Sequence, residues 1–223
     1  MRVLFQLILA IVSLGNCTCN KPEANDQFVL EQLSFTSNPS TQWQVGYRVD
    51  GFLKNADFRL SGYSANDPII ALWHPSTEQA GYYPYVGQNR TNAIQIDRSG
   101  RWALKPFQMA MEGSNTGQYG MLRFKPPMPG KYRIKVIFEG VHIGLSTTDV
   151  HVLKNDEVLF NDFIDGYGGD AGFHPVTGTH PSCTYEGTMQ LNTGDRVIFA
   201  VGYGANMNHF DDTTGLTITI EMI

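Results

Sequence analysis

The residues of this sequence best suited to ligand chemistry are aromatic. A sugar ring has an apolar C–H face and a rim of hydroxyl groups, so a binding site for it needs a flat aromatic ring flanked by polar side chains. The segment GYYPY, residues 81–85, carries three tyrosines, and its glycine and proline predict an exposed loop. The predicted ligand-binding residues are Trp43, Tyr47, Tyr82, Tyr83, Tyr85 and His209, with Trp73 and Trp102 as further candidates. For each aromatic outside that loop, burial in a β-sheet core is the favoured alternative.

A second group of side chains is suited to calcium. The segment NMNHFDDT, residues 206–213, combines amides with the adjacent carboxylates of Asp211 and Asp212. Carboxylate and amide oxygens are the ligands that Ca²⁺ prefers, although the spacing is not that of an EF-hand. The favoured interpretation is a turn stabilised by the Asp212 side chain, and the alternative is a structural calcium ion at Asp211 and Asp212.

The glycine-rich segment 166–183 is predicted to be a long loop, and it contains His174 and His180. Histidine and the thiol of Cys183 are metal ligands by type, but their spacing matches no standard zinc pattern. Both histidines precede a proline, and rigid turn geometry explains that equally well.

No catalytic motif accompanies these groups. The sequence has no nucleophile elbow, no zinc-protease motif and no phosphate loop. Glu112, Asp149, Asp170 and Asp211 are carboxylates of the type that a polysaccharide hydrolase or lyase uses in pairs, but the separation of such a pair is a property of the fold. No catalytic residue is predicted, and a polysaccharide-active enzyme remains an alternative.

Short β-strands must position these side chains. Residues 131–139 alternate apolar and mostly charged side chains, and the period of two recurs in 196–201 and 216–222. Further strands are predicted over 42–49, 52–60, 69–73, 101–111, 119–124, 148–153, 157–164 and 184–191. Without helices between them, these strands predict an all-β fold, a two-sheet antiparallel β-sandwich or jelly roll. Its predicted core includes Tyr132, Val136, Phe138, Val197, Phe199, Ile218 and Ile220.

The N-terminus predicts export. Arg2 precedes an apolar run, Val3 to Leu14, that has the length of a signal peptide and is too short to cross a bilayer. The expected organisation is a signal peptide over 1–16, a tether over 17–27 and one β-sandwich domain over 28–223. Cys17 follows Leu-Gly-Asn, so a lipid anchor on Cys17 is the alternative to free secretion. The expected location is secreted, periplasmic or cell-surface.

The net charge limits the classes of partner that we expect, and the number of cysteines bears on the state of the thiols. The formal net charge is −5, whereas nucleic-acid binding depends on an excess of Lys and Arg, so a nucleic-acid partner is not expected. No later run of apolar residues is long enough for a membrane span. Three cysteines, Cys17, Cys19 and Cys183, leave an odd thiol in an oxidising compartment.

The stretch YGMLRFKPPMPGKY, residues 119–132, resembles a signature of exported bacterial jelly-roll domains that are similar to carbohydrate-binding modules. TTDVHVL at 147–153, GDRVIF at 194–199 and DTTGL at 212–216 continue the likeness in the same order. At 111–113 the sequence reads Met-Glu-Gly where the family has a His-Pro-Gly turn, so no role of that histidine is carried over. Together with the tyrosine-bearing segment and the absence of a catalytic motif, the resemblance implies a non-catalytic glycan-binding or surface-interaction module of an exported protein. The expected partner is a polysaccharide or surface glycan. A structural surface protein without a small ligand is a second alternative.

Overall fold

The computed structural model describes residues 34, 36–40, 42–48, 58–66, 70–75 and 83–223, with only the backbone of 63–66 and 70. The predicted signal peptide, the tether, Cys17 and Tyr82 lie outside the described residues. In chain order the strands are β1 (Trp43–Arg48), β2 (Arg59–Leu60), β3 (Tyr63–Asn66), β4 (Ile70–His74), β5 (Tyr85–Asn89), β6 (Gln95–Ile96), β7 (Ala103–Leu104), β8 (Met109–Glu112), β9 (Tyr119–Phe124), β10 (Gly130–Gly140), β11 (Ser146–Lys154), β12 (Glu157–Tyr167), β13 (Thr177–His180), β14 (Ser182–Leu191), β15 (Val197–Val201) and β16 (Thr214–Met222).

These strands form two seven-stranded sheets and a small ribbon. The first sheet has the order β13-β12-β11-β15-β9-β1-β2, the second has the order β14-β10-β16-β8-β5-β4-β3, and β6 pairs with β7. Every pairing between them is antiparallel. The sheets pack face to face, which confirms the predicted antiparallel β-sandwich of the jelly-roll kind. Within the described residues there is no helix with the length and apolarity needed to cross a membrane.

The core lies between the two sheets and follows the period-two pattern. All seven predicted core residues are buried. On β10, Tyr132, Ile134, Val136 and Phe138 are fully buried while the intervening lysines and arginine face outward. Trp43 lies at the centre of this core, with its ring 5.1 Å from that of Phe124.

Two predicted loops are wrong. Tyr85 begins β5, a fully buried strand between β4 and β8 in the second sheet, where the sequence predicted the end of an exposed loop. Strand β13 lies inside the predicted loop 166–183 and extends the edge of the first sheet. Turn residues predicted loops at both places, but pairing with strands distant in sequence decided the structure.

The predicted strand over 101–111 is divided into β7 and β8. The turn between them contains Phe107, which adopts a positive φ of 59°. This break lets β7 leave the sheet and form a ribbon with β6 while β8 stays in the sheet.

Candidate functional site

A cavity of about 400 Å³ opens beside the second sheet. We call it the aromatic cleft and define it by Tyr83, Arg101, Trp102, Glu112, Phe210 and Asp211, which all line it. Its volume falls within the range of sites that hold small organic molecules, roughly 300–1,000 Å³. The lining comes from segments that are far apart in the chain.

The innermost part of the cleft is a buried group of three side chains. Tyr85 on β5 and Glu112 on β8 are directly paired across the two strands. The Tyr85 hydroxyl lies 3.0 Å from Oε2 of Glu112, and the Thr213 hydroxyl donates to the same oxygen at 2.7 Å. Tyr85 and Thr213 are 3.1 Å apart, so the three oxygens form a closed triangle.

The Glu112 carboxyl group is predominantly protonated at neutral pH. Burial raises its pKa to about 8, and the two hydroxyl hydrogen bonds only partly oppose this, while Asp212 and Asp211 raise it further. The same burial raises the pKa of Tyr85 well above its usual value. The floor of the cleft therefore consists of uncharged hydrogen-bonding groups.

A run of aromatic rings forms one wall. The ring of Tyr83 lies 5.6 Å from that of Tyr85 and meets His209 edge-on at 4.5 Å. His209 in turn packs 4.5 Å from Phe210, whose side chain is largely exposed. Burial lowers the pKa of His209, so this buried imidazole is neutral. It packs against both Tyr83 and Phe210.

The opposite rim carries charge. Nη2 of Arg101 lies 3.0 Å from Oδ2 of Asp211, and Nε2 of the buried His142 lies 3.3 Å from Oδ1. Nδ1 of His142 accepts a hydrogen bond from the Gly144 amide, so its proton is carried on Nε2, facing Asp211. Burial lowers the pKa of His142 despite the attraction of Asp211, and it is therefore neutral.

A tight turn between β6 and β7 presents Arg101 and Trp102 to the cleft. The Asp97 carboxylate accepts hydrogen bonds from the backbone amides of Ser99, Arg101 and Trp102 at 2.7–3.0 Å. Burial opposes ionisation of Asp97, but these bonds and that of the Ser99 hydroxyl outweigh it and hold its pKa below the usual value. The turn is thus held rigid from within by a carboxylate.

The two carboxylates predicted to bind calcium face different neighbours. Asp211 faces Arg101 and His142, whereas Oδ1 of the buried Asp212 accepts from the amide and hydroxyl of Thr147. Burial raises the pKa of Asp212 to about 7, and the Thr147 bonds only partly oppose this. Calcium at Asp211 and Asp212 stays a prediction, and these contacts give it no support, since the Asp211 charge already has a counter-ion.

The structure places the predicted ligand-binding residues in different surroundings. Tyr83 and Tyr85 both line the cleft, and His209 supports it from behind. Trp43 is fully buried in the core, so it has no free face on which a sugar could stack, and that prediction is corrected. Tyr47 is half-buried on β1 in the first sheet, away from the cleft, and Trp73 is buried. Of the further candidates, Trp102 lines the cleft.

Sequence reasoning missed several residues of the cleft, among them Asp97, Arg101, His142 and Phe210. Phe210 was within the segment assigned to calcium, and Arg101 precedes a candidate tryptophan, so these two had a local signal. Nothing near Asp97 or His142 in sequence indicates a shared site, because their proximity arises from sheet packing.

No protein-family model and no curated protein matches the chain. Among solved structures, it is similar to a β-glucosidase from Kluyveromyces marxianus, with 16% identity, a TM-score of 0.29 and coverage of 49% of this chain and 12% of that one. It is also similar to family 35 carbohydrate-binding modules from an environmental isolate (14% identity, 68% and 96% coverage, TM-score 0.33) and from Clostridium thermocellum (9%, 71% and 95%, 0.28). The chain thus spans about an eighth of the β-glucosidase. All three TM-scores are below 0.5, so no function is transferred from these proteins.

Proposed function

We propose that this chain is a non-catalytic module of an exported protein that binds a polysaccharide or surface glycan in the aromatic cleft. One observation carries the proposal. A single cavity brings partly exposed rings of Tyr83, Trp102 and Phe210 together with the Arg101–Asp211 ion pair. Flat apolar surfaces beside a donor and an acceptor match the two surfaces of a sugar ring.

The rings and the polar rim contribute in different ways. Stacking of a sugar on an aromatic ring contributes on the order of 1 kcal/mol, comparable to other ring contacts. Hydrogen bonds from sugar hydroxyls to a charged group contribute about 1.5–3 kcal/mol each. Arg101 offers donors and Asp211 offers acceptors at one point, as adjacent sugar hydroxyls require.

The neutral floor of the cleft favours an uncharged ligand. Protonated Glu112 and the hydroxyl groups of Tyr85 and Thr213 can exchange hydrogen bonds with a hydroxyl group without leaving a buried charge unpaired. The cleft therefore suits neutral hexose or pentose units better than uronic acids.

The test is a glycan array on the purified chain, followed by calorimetric titration of the best binder. Trp102→Ala and Arg101→Ala should each weaken binding by about tenfold, the equivalent of about 1.4 kcal/mol. The matched control is Phe163→Ala, which removes an exposed ring on β12 beside a different cavity, of about 650 Å³.

Two results would contradict the assignment. Loss of binding in Phe163→Ala with normal binding in Trp102→Ala would place the glycan in the other cavity. No binding to any glycan by a correctly folded chain would favour the structural surface protein.

A second function, glycoside hydrolysis, is supported by one observation. Glu112, whose pKa burial raises to about 8, lines the same cavity as the Asp211 carboxylate, so one cavity holds a carboxyl group that can donate a proton together with a second carboxylate. In that reaction Glu112 would give its proton to the glycosidic oxygen, and water would add to the anomeric carbon while Asp211 took its proton.

The contacts of Asp211 favour binding over this chemistry. Its two oxygens are engaged by Arg101 and His142, so neither oxygen is free to take a proton from water. A reducing-sugar assay on glycans that bind decides between the two functions. We expect no product, whereas product formation that Glu112→Gln abolishes would establish the enzyme.

A further inference from the structure

The two sheets meet at one edge, where the chain crosses from the first to the second. Strand β13 ends at His180 in the first sheet, and β14 begins at Ser182 in the second. The carbonyl of Pro181 between them accepts a hydrogen bond of 3.0 Å from the Gly140 amide at the end of β10. This crossing places His180 beside β12 in the first sheet and Cys183 on β14 in the second.

Three side chains converge at this edge: Asp162 on β12, His180 and Cys183. A carboxylate oxygen, an imidazole nitrogen and the thiol sulfur all lie within 4.8 Å of one another. Nε2 of His180 is 3.4 Å from Oδ1 of Asp162. The cluster lies in a different part of the sheets from the aromatic cleft and shares no lining residue with it.

The His180 imidazole belongs to this cluster, but its Nε2 atom has an unsatisfied hydrogen-bonding capacity. Nε2 of His180 is shielded from solvent and makes no hydrogen bond with any described residue, although the Asp162 oxygen lies within ion-pair distance. The His180 ring packs against Phe163 with 4.7 Å between ring centres, which holds its plane. A buried nitrogen without a partner costs free energy unless another group fills the position.

We propose that Asp162, His180 and Cys183 form a binding site for a divalent transition-metal ion of the zinc class. Thiolate, imidazole and carboxylate are the three ligand types of zinc sites, and sulfur with nitrogen excludes the hard cations Ca²⁺ and Mg²⁺. A metal ion among the three atoms supplies the missing partner of the His180 nitrogen. Three protein ligands leave one coordination position for water or an external ligand.

Sequence spacing concealed this site. His180 and Cys183 are close in the chain, but the third ligand lies on β12, and β13 brings His180 back alongside that strand. His174, the other histidine of the segment, packs edge-on against Tyr167 at 4.9 Å and is not part of the cluster.

The experiment is titration of the purified, metal-free chain with Co²⁺, followed by Zn²⁺ competition. One equivalent of Co²⁺ should give tetrahedral visible bands and a near-ultraviolet thiolate charge-transfer band, and Zn²⁺ should displace both. Cys183→Ser should abolish the charge-transfer band. His180→Gln and Asp162→Asn should weaken the affinity by about tenfold or more, since even outer-shell changes cost about 10–100-fold. His174→Gln is the matched control and should bind as the parent does.

Circular dichroism and thermal unfolding of each variant would separate loss of a ligand from loss of the fold. The proposal is overturned if the folded parent chain gives no charge-transfer band or if Cys183→Ser keeps it. Equal weakening by His174→Gln and His180→Gln would also overturn it, as would a disulfide from Cys183 to Cys17 or Cys19 in non-reducing mass spectrometry. Glycan binding is measured separately, so neither result depends on the other.

Discussion

Tyr85 and Glu112 face each other across two neighbouring strands of the second sheet, with the Tyr85 hydroxyl 3.0 Å from Oε2 of the buried carboxyl. This pair joins the core of the sandwich to the surface of the aromatic cleft. Because the fold buries Glu112, the protonation state of this carboxyl group affects how the free energy of unfolding depends on pH, and that dependence can be measured.

Replacing Glu112 with Gln should change how stability depends on pH. Burial raises the Glu112 pKa from its usual 4.5 to about 8, so the folded protein keeps a proton that the unfolded chain releases. The stabilisation from that proton is complete below pH of about 4.5 and is lost as pH rises through about 8. Gln does not titrate, so the Glu112→Gln variant lacks this dependence on pH. Its free energy of unfolding minus that of the parent should therefore increase as pH rises from about 4.5 to about 8. The increase should not exceed about 1.4 kcal/mol per pH unit.

Urea unfolding at about pH 5 and about pH 8 measures this difference. The control is Glu186→Gln on β14, where the carboxylate is more than half exposed. A difference between Glu112→Gln and the parent that is the same at both pH values would mean that Glu112 is ionised in the folded protein.

Trp43 and Trp102 should separate stability from binding. Trp43 is fully buried, so Trp43→Ala should lower the free energy of unfolding by about 3–5 kcal/mol. Trp102 is half-buried in the cleft, so Trp102→Ala should cost about 1–2 kcal/mol and mainly weaken glycan binding. If Trp43→Ala does not fold, Trp43→Phe should give a smaller loss with unchanged affinity. Equal effects of the two tryptophans on affinity would contradict the assignment of the cleft.

A substitution at Gly144 tests the charged rim without replacing Arg101 or Asp211. A Cβ atom on Gly144 would lie 2.2 Å from Oδ2 of Asp211, so Gly144→Ala must displace that carboxylate from Arg101. The exposed ion pair contributes only about 0–1 kcal/mol to stability. We therefore expect a several-fold loss of glycan affinity in calorimetric titration. Tm should also fall, because the added atom would lie 2.9 Å from Cβ of Asp211 and rotation of that side chain cannot relieve this contact.

Gly194→Ala is the control for that variant. Gly194 has a φ of 103° and open space around its Cβ position, in a turn between β14 and β15. The Gly194→Ala substitution should lower Tm because alanine is strained at this φ, and it should leave the glycan affinity unchanged. Unchanged affinity in Gly144→Ala would show that Asp211 does not contact the ligand.

The N-terminus of the mature protein tests export and lipidation together. Ser13 and Gly15 predict cleavage next to Asn16, and lipidation would place Cys17 first. Mass spectrometry of the protein from its native host should show a chain that lacks the apolar run. An intact Met1 would contradict export, and an unmodified Cys17 would exclude the lipid anchor.

The predicted loop at the tyrosine segment shows where sequence reasoning reached its limit. Gly81 and Pro84 are turn residues, and they indicated exposure for all three tyrosines. Tyr85 is instead buried because β4 and β8 flank its strand on both sides. Tyr83, two residues earlier, is half-buried and lines the cleft, so one local signal covered residues with different environments.

The sequence by itself determined the fold class, most of the strands and the core of this protein. These follow from the period-two alternation of β10 and β16, which is a local property because successive side chains of a strand point to opposite faces. Only the tertiary structure decided which residues meet in the two proposed sites. Arg101 and Asp211 are 110 residues apart, and Asp162 meets His180 and Cys183 only where the chain changes sheets. Strand order and register set such distances. The alternation of side chains along one strand gives no information about either of them.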